Sequence, residues 1–169
     1  MAHFISYLMY NFTLTFFLVG LLVSAISIFT HRQGISRQLV VESLISWFVF
    51  FTIGVSDLYN GIAHTVFAEV SAQFIGWANS PFQLEVGFAS FGFALVGFIA
   101  FKGSWQVRAC AILGSSCFLV GAAGGHIYQM ITAGDYAPGN AGVMFYSDIL
   151  LPLFGWILLY LNRPSANKP

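Results

Sequence analysis

The chain has 169 residues, of which 58% are hydrophobic and only 7% are charged, and its formal net charge is zero. Soluble domains carry roughly 25% charged residues, so the composition argues against a soluble globular protein. No basic or acidic tract is present, which argues against nucleic acid as a partner. Several apolar runs of about 18 to 22 residues predict a multi-pass α-helical protein whose partner is the lipid bilayer.

Five membrane spans are predicted in chain order, which gives a single all-α, polytopic helix bundle. Their approximate ranges are 9–30, 39–57, 81–101, 109–131 and 143–161. The third span has the clearest start. Ser80 is suited to the N-cap, Pro81 to the first helical position and Gln83 to the third, which predicts a capping box.

The segment between the second and third spans, Ile62 to Asn79, is too long for a simple turn. Its apolar residues recur at helical spacing, which predicts a short amphipathic helix on the outer surface. A continuous helix from Leu39 to Asn79 would be about 60 Å long, whereas the hydrocarbon core is about 30 Å thick. A break near Asn60 and Gly61 is therefore expected.

The basic residues predict the orientation of the chain. With five spans they all fall on one side, at Arg32, Arg37, Lys102, Arg108, Arg163 and Lys168. The positive-inside rule makes that side the cytoplasm. The N-terminus is then outside, the C-terminus is cytoplasmic, and five of the six acidic residues belong to the outer half.

Polar residues near the outer ends of the spans are expected to lie at a similar depth. These residues are Asp57, His64, Glu85, His126, Gln129 and Asp148. An ionisable group costs about 2.5 to 3.5 kcal/mol at the centre of a membrane, so such groups usually pair or face a wet cavity. The sequence predicts an outward-facing polar pocket for a small ligand, an ion or a proton.

The chemistry of this pocket stays open. Imidazole with carboxylate suits a proton relay or a transition metal such as zinc, with His64, Glu85 and His126 as its ligands. No HxxxH or HExxH spacing supports a metal. Asp57 could instead be solvated at headgroup level, Glu85 could be a first-turn carboxylate at a helix N-terminus, and His126 could bond an acid for packing alone.

Small residues predict where helices approach one another. Span four contains Gly121-Ala-Ala-Gly-Gly125, and span three contains Gly87, Gly92 and Gly97. Glycines of this spacing let helix backbones pack closely. Spans three and four are therefore expected in close contact, which would place Glu85 near His126. Helix-mediated oligomers are also left open.

One stretch resembles a known family. The segment Gly76-Trp-Ala-Asn-Ser-Pro-Phe-Gln-Leu-Glu-Val-Gly-Phe-Ala89, with Gly125-His-Ile-Tyr-Gln129 and Asp148-Ile-Leu-Leu-Pro152, is similar to a family of small prokaryotic multi-pass membrane proteins of unknown function. The likeness covers about Asp57 to Pro152. It implies the plasma membrane of a bacterium or an archaeon, and it implies no established activity, cofactor or catalytic residue.

A weaker likeness, in size and hydropathy, is to DoxX-type membrane proteins, some of which serve quinone-linked redox systems. Three functions therefore remain open. The chain could bind a ligand, ion or proton in its outer pocket, or it could be a membrane enzyme or quinone-linked redox subunit. It could also be a structural or assembly subunit in which the polar cluster holds helices together.

Overall fold

The computed structural model of the chain describes residues 2–31 and 34–164, and within these ranges its regular structure is entirely helical. Arg32 and Lys168, which contributed to the predicted orientation, lie outside the described residues. The elements in chain order are α1 (Ala2–Tyr10), α2 (Phe12–Phe29), α3 (Arg37–Trp47), a π-helical segment (Phe48–Val55), α4 (Ser56–Val66), α5 (Ala68–Ile75), α6 (Phe82–Ala100), α7 (Trp105–Ala133), α8 (Pro138–Ala141) and α9 (Val143–Leu161).

Five helical stretches are long and apolar enough to cross a membrane, which confirms the predicted all-α bundle. Spans one to five are Phe12–Phe29, Arg37–Val66, Phe82–Ala100, Trp105–Ala133 and Pro138–Leu161. The short helix expected between spans two and three is α5. The end of the bundle that carries α5 and the following loop is called the outer end below, and the opposite end the inner end.

The sequence suggested a break near Asn60 and Gly61, but span two is continuous there. Its helix continues to Val66 and loses helical geometry only at Phe67, where φ is −118° and ψ is 36°. The length argument failed because a span can extend past the apolar core. Thirty residues rise about 45 Å.

Gly61 serves helix packing instead. A Cβ atom placed on it would lie 2.5 Å from the ring of Phe91 in α6 and 3.1 Å from the carbonyl oxygen of Gly87. Further along the same two helices, a Cβ atom on Gly97 would lie 2.6 Å from the backbone nitrogen of Gly54. These paired glycines let the backbones of spans two and three nearly touch.

The prediction that glycines bring spans three and four together is therefore wrong. The Gly87 and Gly97 face of α6 is turned toward span two. In span four, no described atom lies within 4 Å of a Cβ placed on Gly121 or Gly124. Spans three and four meet through side chains such as Phe93 and Phe118, whose ring centroids are 5.5 Å apart.

The start of span three also differs from the prediction. The helix begins at Phe82 with Pro81 as its N-cap residue, and no side chain caps it. Ser80 contributes its carbonyl oxygen, which accepts from the Gln83 amide at 3.0 Å. The Gln83 side chain is buried, so it is not available for a capping box.

The inner half of the bundle is closely packed. Its apolar core joins spans two, four and five through side chains that include Ile45, Val49, Ile112 and Leu158. Below this core lies Arg108, whose side chain is only 5% exposed. Its guanidinium donates to both carboxylate oxygens of Glu42, at 2.6 and 2.8 Å. This two-pronged contact links span four to span two.

Asn162 extends the inner contact to the end of span five. Its amide donates to Glu42 Oε2 at 3.1 Å. The Arg108 guanidinium also donates to the carbonyl oxygens of Ala100 and Phe101, at 3.3 and 3.2 Å. Four of the five spans are thus tied together at the inner end, and the space in this protein lies at the outer end.

Candidate functional site

A cavity of about 930 Å³ occupies the outer half of the bundle. Side chains from all five spans and from α1 and α5 surround it. It extends from Trp77 and Gly139 near the outer end to Thr52 and Ser115 near the middle of their spans. Cavities of about 300 to 1,000 Å³ with mostly apolar walls and a few polar groups are typical of small-molecule sites.

The small residues of span four give the cavity its width. Gly121, Ala122 and Gly125 form part of its wall. The nearest described atom to a Cβ placed on Gly125 belongs to Trp77, at 3.5 Å, and around Gly121 the space is open. The glycines predicted to pack helices together therefore make room for a ligand-sized space.

The π-helical segment lies directly before the polar wall of span two. Such segments are rare, and they are frequent at functional sites. Within it, Thr52 is 7% exposed, and its hydroxyl finds no hydrogen-bond partner among the described residues. Thr52, Ser56 and Asp57 all line the cavity.

Asp57 is the acidic group of span two at this wall. Its side chain is buried, with the residue only 7% exposed, and none of the described residues forms a hydrogen bond or an ion pair with its carboxylate. An unpaired buried charge is costly. Because Asp57 lines the cavity, a proton, water, a cation or the polar part of a ligand can satisfy this group.

Asp148 of span five is the second acid of the cavity. It is 5% exposed, and its Oδ2 atom lies 3.5 Å from Nε2 of His126. When ionised, it repels Asp57 electrostatically. Beside it, Thr13 of span one donates to the Ser147 hydroxyl at 2.9 Å, which holds this part of span five against span one.

His126 is oriented by Asn140, a residue that is completely buried. The indole of Trp77 donates to Asn140 Oδ1 at 3.0 Å, and an indole N–H can only donate, so this atom is the amide oxygen. His126 Nδ1 lies 2.7 Å from the same oxygen and must carry a hydrogen to bond it. Nε2, the other ring nitrogen, faces Asp148.

His64 and Asn60 follow Asp57 along α4 of span two and contact span three. His64 Nδ1 donates to Gln83 Oε1, which joins span two to the start of span three. The Asn60 amide donates to the Ser90 hydroxyl at 2.9 Å. His64, Asn60 and Gln83 all line the cavity, so this wall is polar but internally satisfied.

The six residues predicted to form the pocket separate into two groups. Asp57, His64, His126 and Asp148 line one cavity. Glu85 and Gln129 are not part of its wall, and Glu85 is exposed. On a helix, Glu85 is two residues from Gln83 and therefore points about 200° away from it. Gln83 turns inward and Glu85 outward.

The suggested metal ligands His64, Glu85 and His126 are not brought together. Within residues 2–31 and 34–164, no group of three His, Cys, Asp or Glu side chains is placed to hold a metal ion. The histidine nitrogens that are hydrogen-bonded go to amide oxygens of Gln83 and Asn140.

The sequence did not single out Thr52, Trp77 and Gln83, which line the cavity, or Asn140, which orients His126, as parts of the pocket. Gln83 and Asn140 carry recognisable signals, since a glutamine in the first turn of a span and an asparagine in a turn each need a partner. Thr52 is one hydroxyl within an apolar run and has no such signal.

Fold and site together define an all-α protein with five membrane-length helices around an outer cavity. Its sequence matches a family model, described as a family of unknown function (DUF6790), over residues 10–168. The chain belongs to that family. Comparison with curated proteins and with solved structures finds no match.

Proposed function

We propose that this chain is an integral membrane protein of the plasma membrane that binds a small organic molecule in its outer cavity. Support for membrane insertion comes from five spans of mean hydropathy 1.6 to 2.3 and from the low charge content. The distribution of basic residues supports an outward-facing cavity. Its volume of about 930 Å³ suits a ligand rather than a single ion.

The observation that carries this proposal is the unpartnered carboxylate of Asp57 in the cavity wall. If polar residues here served only to hold helices together, each would be expected to bond another helix, as Asn60 bonds Ser90. Asp57 and Thr52 do not, although both are buried. Their free oxygen atoms are suited to a ligand.

A quinone-linked role is the second candidate. His126 and Asp148, 3.5 Å apart, line an aromatic cavity and offer it polar groups suited to hydrogen-bonding. A quinone needs hydrogen-bonding or protonation at its carbonyl oxygens. A purified protein that neither binds an added quinone nor changes its redox state would contradict this candidate.

Two native cysteines allow a direct test of the cavity. Cys117 lines it, whereas Cys110 does not, and both are exposed free thiols of span four. Only a hydrated thiol forms the reactive thiolate. A membrane-impermeant methanethiosulfonate reagent added outside intact cells should modify Cys117 in a Cys110→Ala protein. It should leave Cys110 unmodified in the matched Cys117→Ala protein.

Occupancy is tested with the same pair of proteins, purified in lipid nanodiscs. A bound molecule should protect Cys117 from N-ethylmaleimide in a saturable way without changing the reaction of Cys110. If Cys117 stays unreactive in native protein but reacts after unfolding, the cavity is closed to solvent and the proposal is wrong.

A further inference from the structure

The charges around the cavity are uneven. Two carboxylates, from Asp57 and Asp148, line it, together with the imidazoles of His64 and His126. No lysine or arginine of the described part of the chain contributes to its wall. The described basic residues next to the spans, such as Arg108, are placed at the inner end, where Arg108 already binds Glu42.

The phenols of Tyr10 and Tyr59 are the other titratable groups among the residues that line the cavity, apart from the thiol of Cys117. None of these groups adds a positive charge to the site. Any positive charge must therefore come from a protonated imidazole or from outside the protein.

Span two supplies oxygen atoms that suit a positively charged group. The Thr52 hydroxyl is buried without a partner, and the Asp57 carboxylate, 7% exposed, also has none among the described residues. Ser56 adds a second hydroxyl to the same wall. An ammonium group gains from each of these oxygens, whereas an anion is repelled by both acids.

Aromatic rings form much of the remaining wall. The lining includes Tyr10, Phe12, Tyr59, Phe67, Phe74, Trp77, Phe82 and Phe118. The faces of aromatic rings attract cations, most strongly where water is excluded. The same rings also give an apolar ligand body a large contact area. An inorganic ion would use the carboxylates but would leave most of the cavity to water.

From this arrangement we infer that the ligand is an organic cation: an amine or quaternary ammonium group, bound near Asp57 and Asp148, on an apolar body that fills the aromatic part of the cavity. This inference rests on the proposed ligand-binding function and specifies its ligand class. Asp57 binds the charged group directly, and Asp148, beside His126, adds a second carboxyl group to the cavity wall.

The test uses two probes that share one apolar body and differ in charge. Benzyltrimethylammonium is the cation and phenylmethanesulfonate is the anion. Each is titrated against the rate at which N-ethylmaleimide modifies Cys117 in the Cys110→Ala protein, held in nanodiscs of zwitterionic lipid so that the bilayer attracts neither probe. The cation should protect Cys117 at concentrations at least about tenfold lower than the anion.

Asp57→Asn keeps the shape of the side chain and removes its charge. It should weaken protection by the cation by about tenfold or more. The matched control is Glu85→Gln, which removes a carboxylate that is exposed and outside the cavity. It should change protection by less than about twofold, because exposed charges are screened. If Asp57→Glu binds the cation normally, the weaker binding of Asp57→Asn is due to the missing charge and not to misfolding.

The possible outcomes distinguish this inference from the proposed function. Equal protection by both probes, or protection by the anion alone, overturns the cation inference and leaves the ligand cavity standing. Reaction of Cys117 that neither probe slows also overturns it. A Cys117 that never reacts in the folded protein contradicts the proposed function itself.

Discussion

The Nδ1 atom of His126 lies 2.7 Å from the Oδ1 atom of Asn140, and this contact turns the other imidazole nitrogen toward Asp148. Asn140 also accepts from Trp77 and donates to the carbonyl oxygen of Asp135 at 2.8 Å. One buried amide therefore orients the histidine and fixes the loop between α7 and α9.

Replacement of Asn140 by alanine should be strongly destabilising. It leaves His126 Nδ1 and the indole of Trp77 buried without their acceptor, and each such loss costs about 1 to 3 kcal/mol. The free energy of unfolding should fall by about 2 to 4 kcal/mol, measured by denaturation in mixed micelles. Trp77→Phe, which removes a single donor, should cost less. Asn79→Ala, at an exposed position bonded to Glu69, should have little effect.

The change in stability caused by a glycine substitution in span three should depend on which face of the helix carries the glycine. A Cβ atom on Gly97 meets the Gly54 backbone at 2.6 Å, whereas nothing described lies within 4 Å of one on Gly92. Gly97→Ala must push two helices apart and should cost about 1 to 3 kcal/mol of stability. Gly92→Ala should be neutral or stabilising by up to about 1 kcal/mol because alanine favours helix. Equal melting temperatures for both variants would contradict the close crossing of spans two and three.

The inner contact of Arg108 with Glu42 should appear as a coupling between the two positions. Glu42→Gln leaves a buried guanidinium without its counter-charge, and Arg108→Met leaves a carboxylate that is half exposed. The Glu42 side chain is 50% exposed, so water moderates the interaction. A double-mutant cycle in unfolding free energy should give about 1 to 2 kcal/mol. A value near zero would mean that the two charges act independently.

Filling the cavity should block it without unfolding the protein. Gly121 and Gly124 are three residues apart on span four, and both have open space around a Cβ atom. Only Gly121 lines the cavity. Gly121→Phe should slow the modification of Cys117 by about tenfold or more, which corresponds to an increase of about 1.4 kcal/mol in the activation free energy of the reaction. Gly124→Phe should leave the rate unchanged, and both proteins should keep the wild-type elution volume in size-exclusion chromatography.

Hydropathy was sufficient to predict the five spans, because their apolar length is a property of each segment alone. The predicted topology brought Asp57, His126 and Asp148 to the same end of the bundle, and all three line one cavity. The directions of side chains were harder to predict. Glu85 was predicted to face the pocket as an ionisable group near the outer end of span three, and Gln83 was assigned to a capping box, yet their angular positions on α6 decide which one turns inward.

Two further differences have specific physical causes. Asn140 lies in a segment whose Pro, Gly and Asn content is typical of a turn, so its composition does not show that the side chain is buried beneath Trp77. The break expected near Asn60 and Gly61 rested on the length of the helix, and length alone does not show what Gly61 packs against. The packing partner that favours it there, Phe91 with the Gly87 backbone, is distant in sequence and becomes apparent only in the folded chain.

The π-helical segment has a consequence for the two halves of span two. Each residue of an α-helix advances the side-chain direction by about 100°. Deleting one residue from Phe48–Val55 would therefore rotate α4 relative to α3, and Asp57 would swing off the cavity wall while Ile45 stayed in the inner core. This part of the chain should tolerate exchanges among its apolar side chains far better than any change in its length.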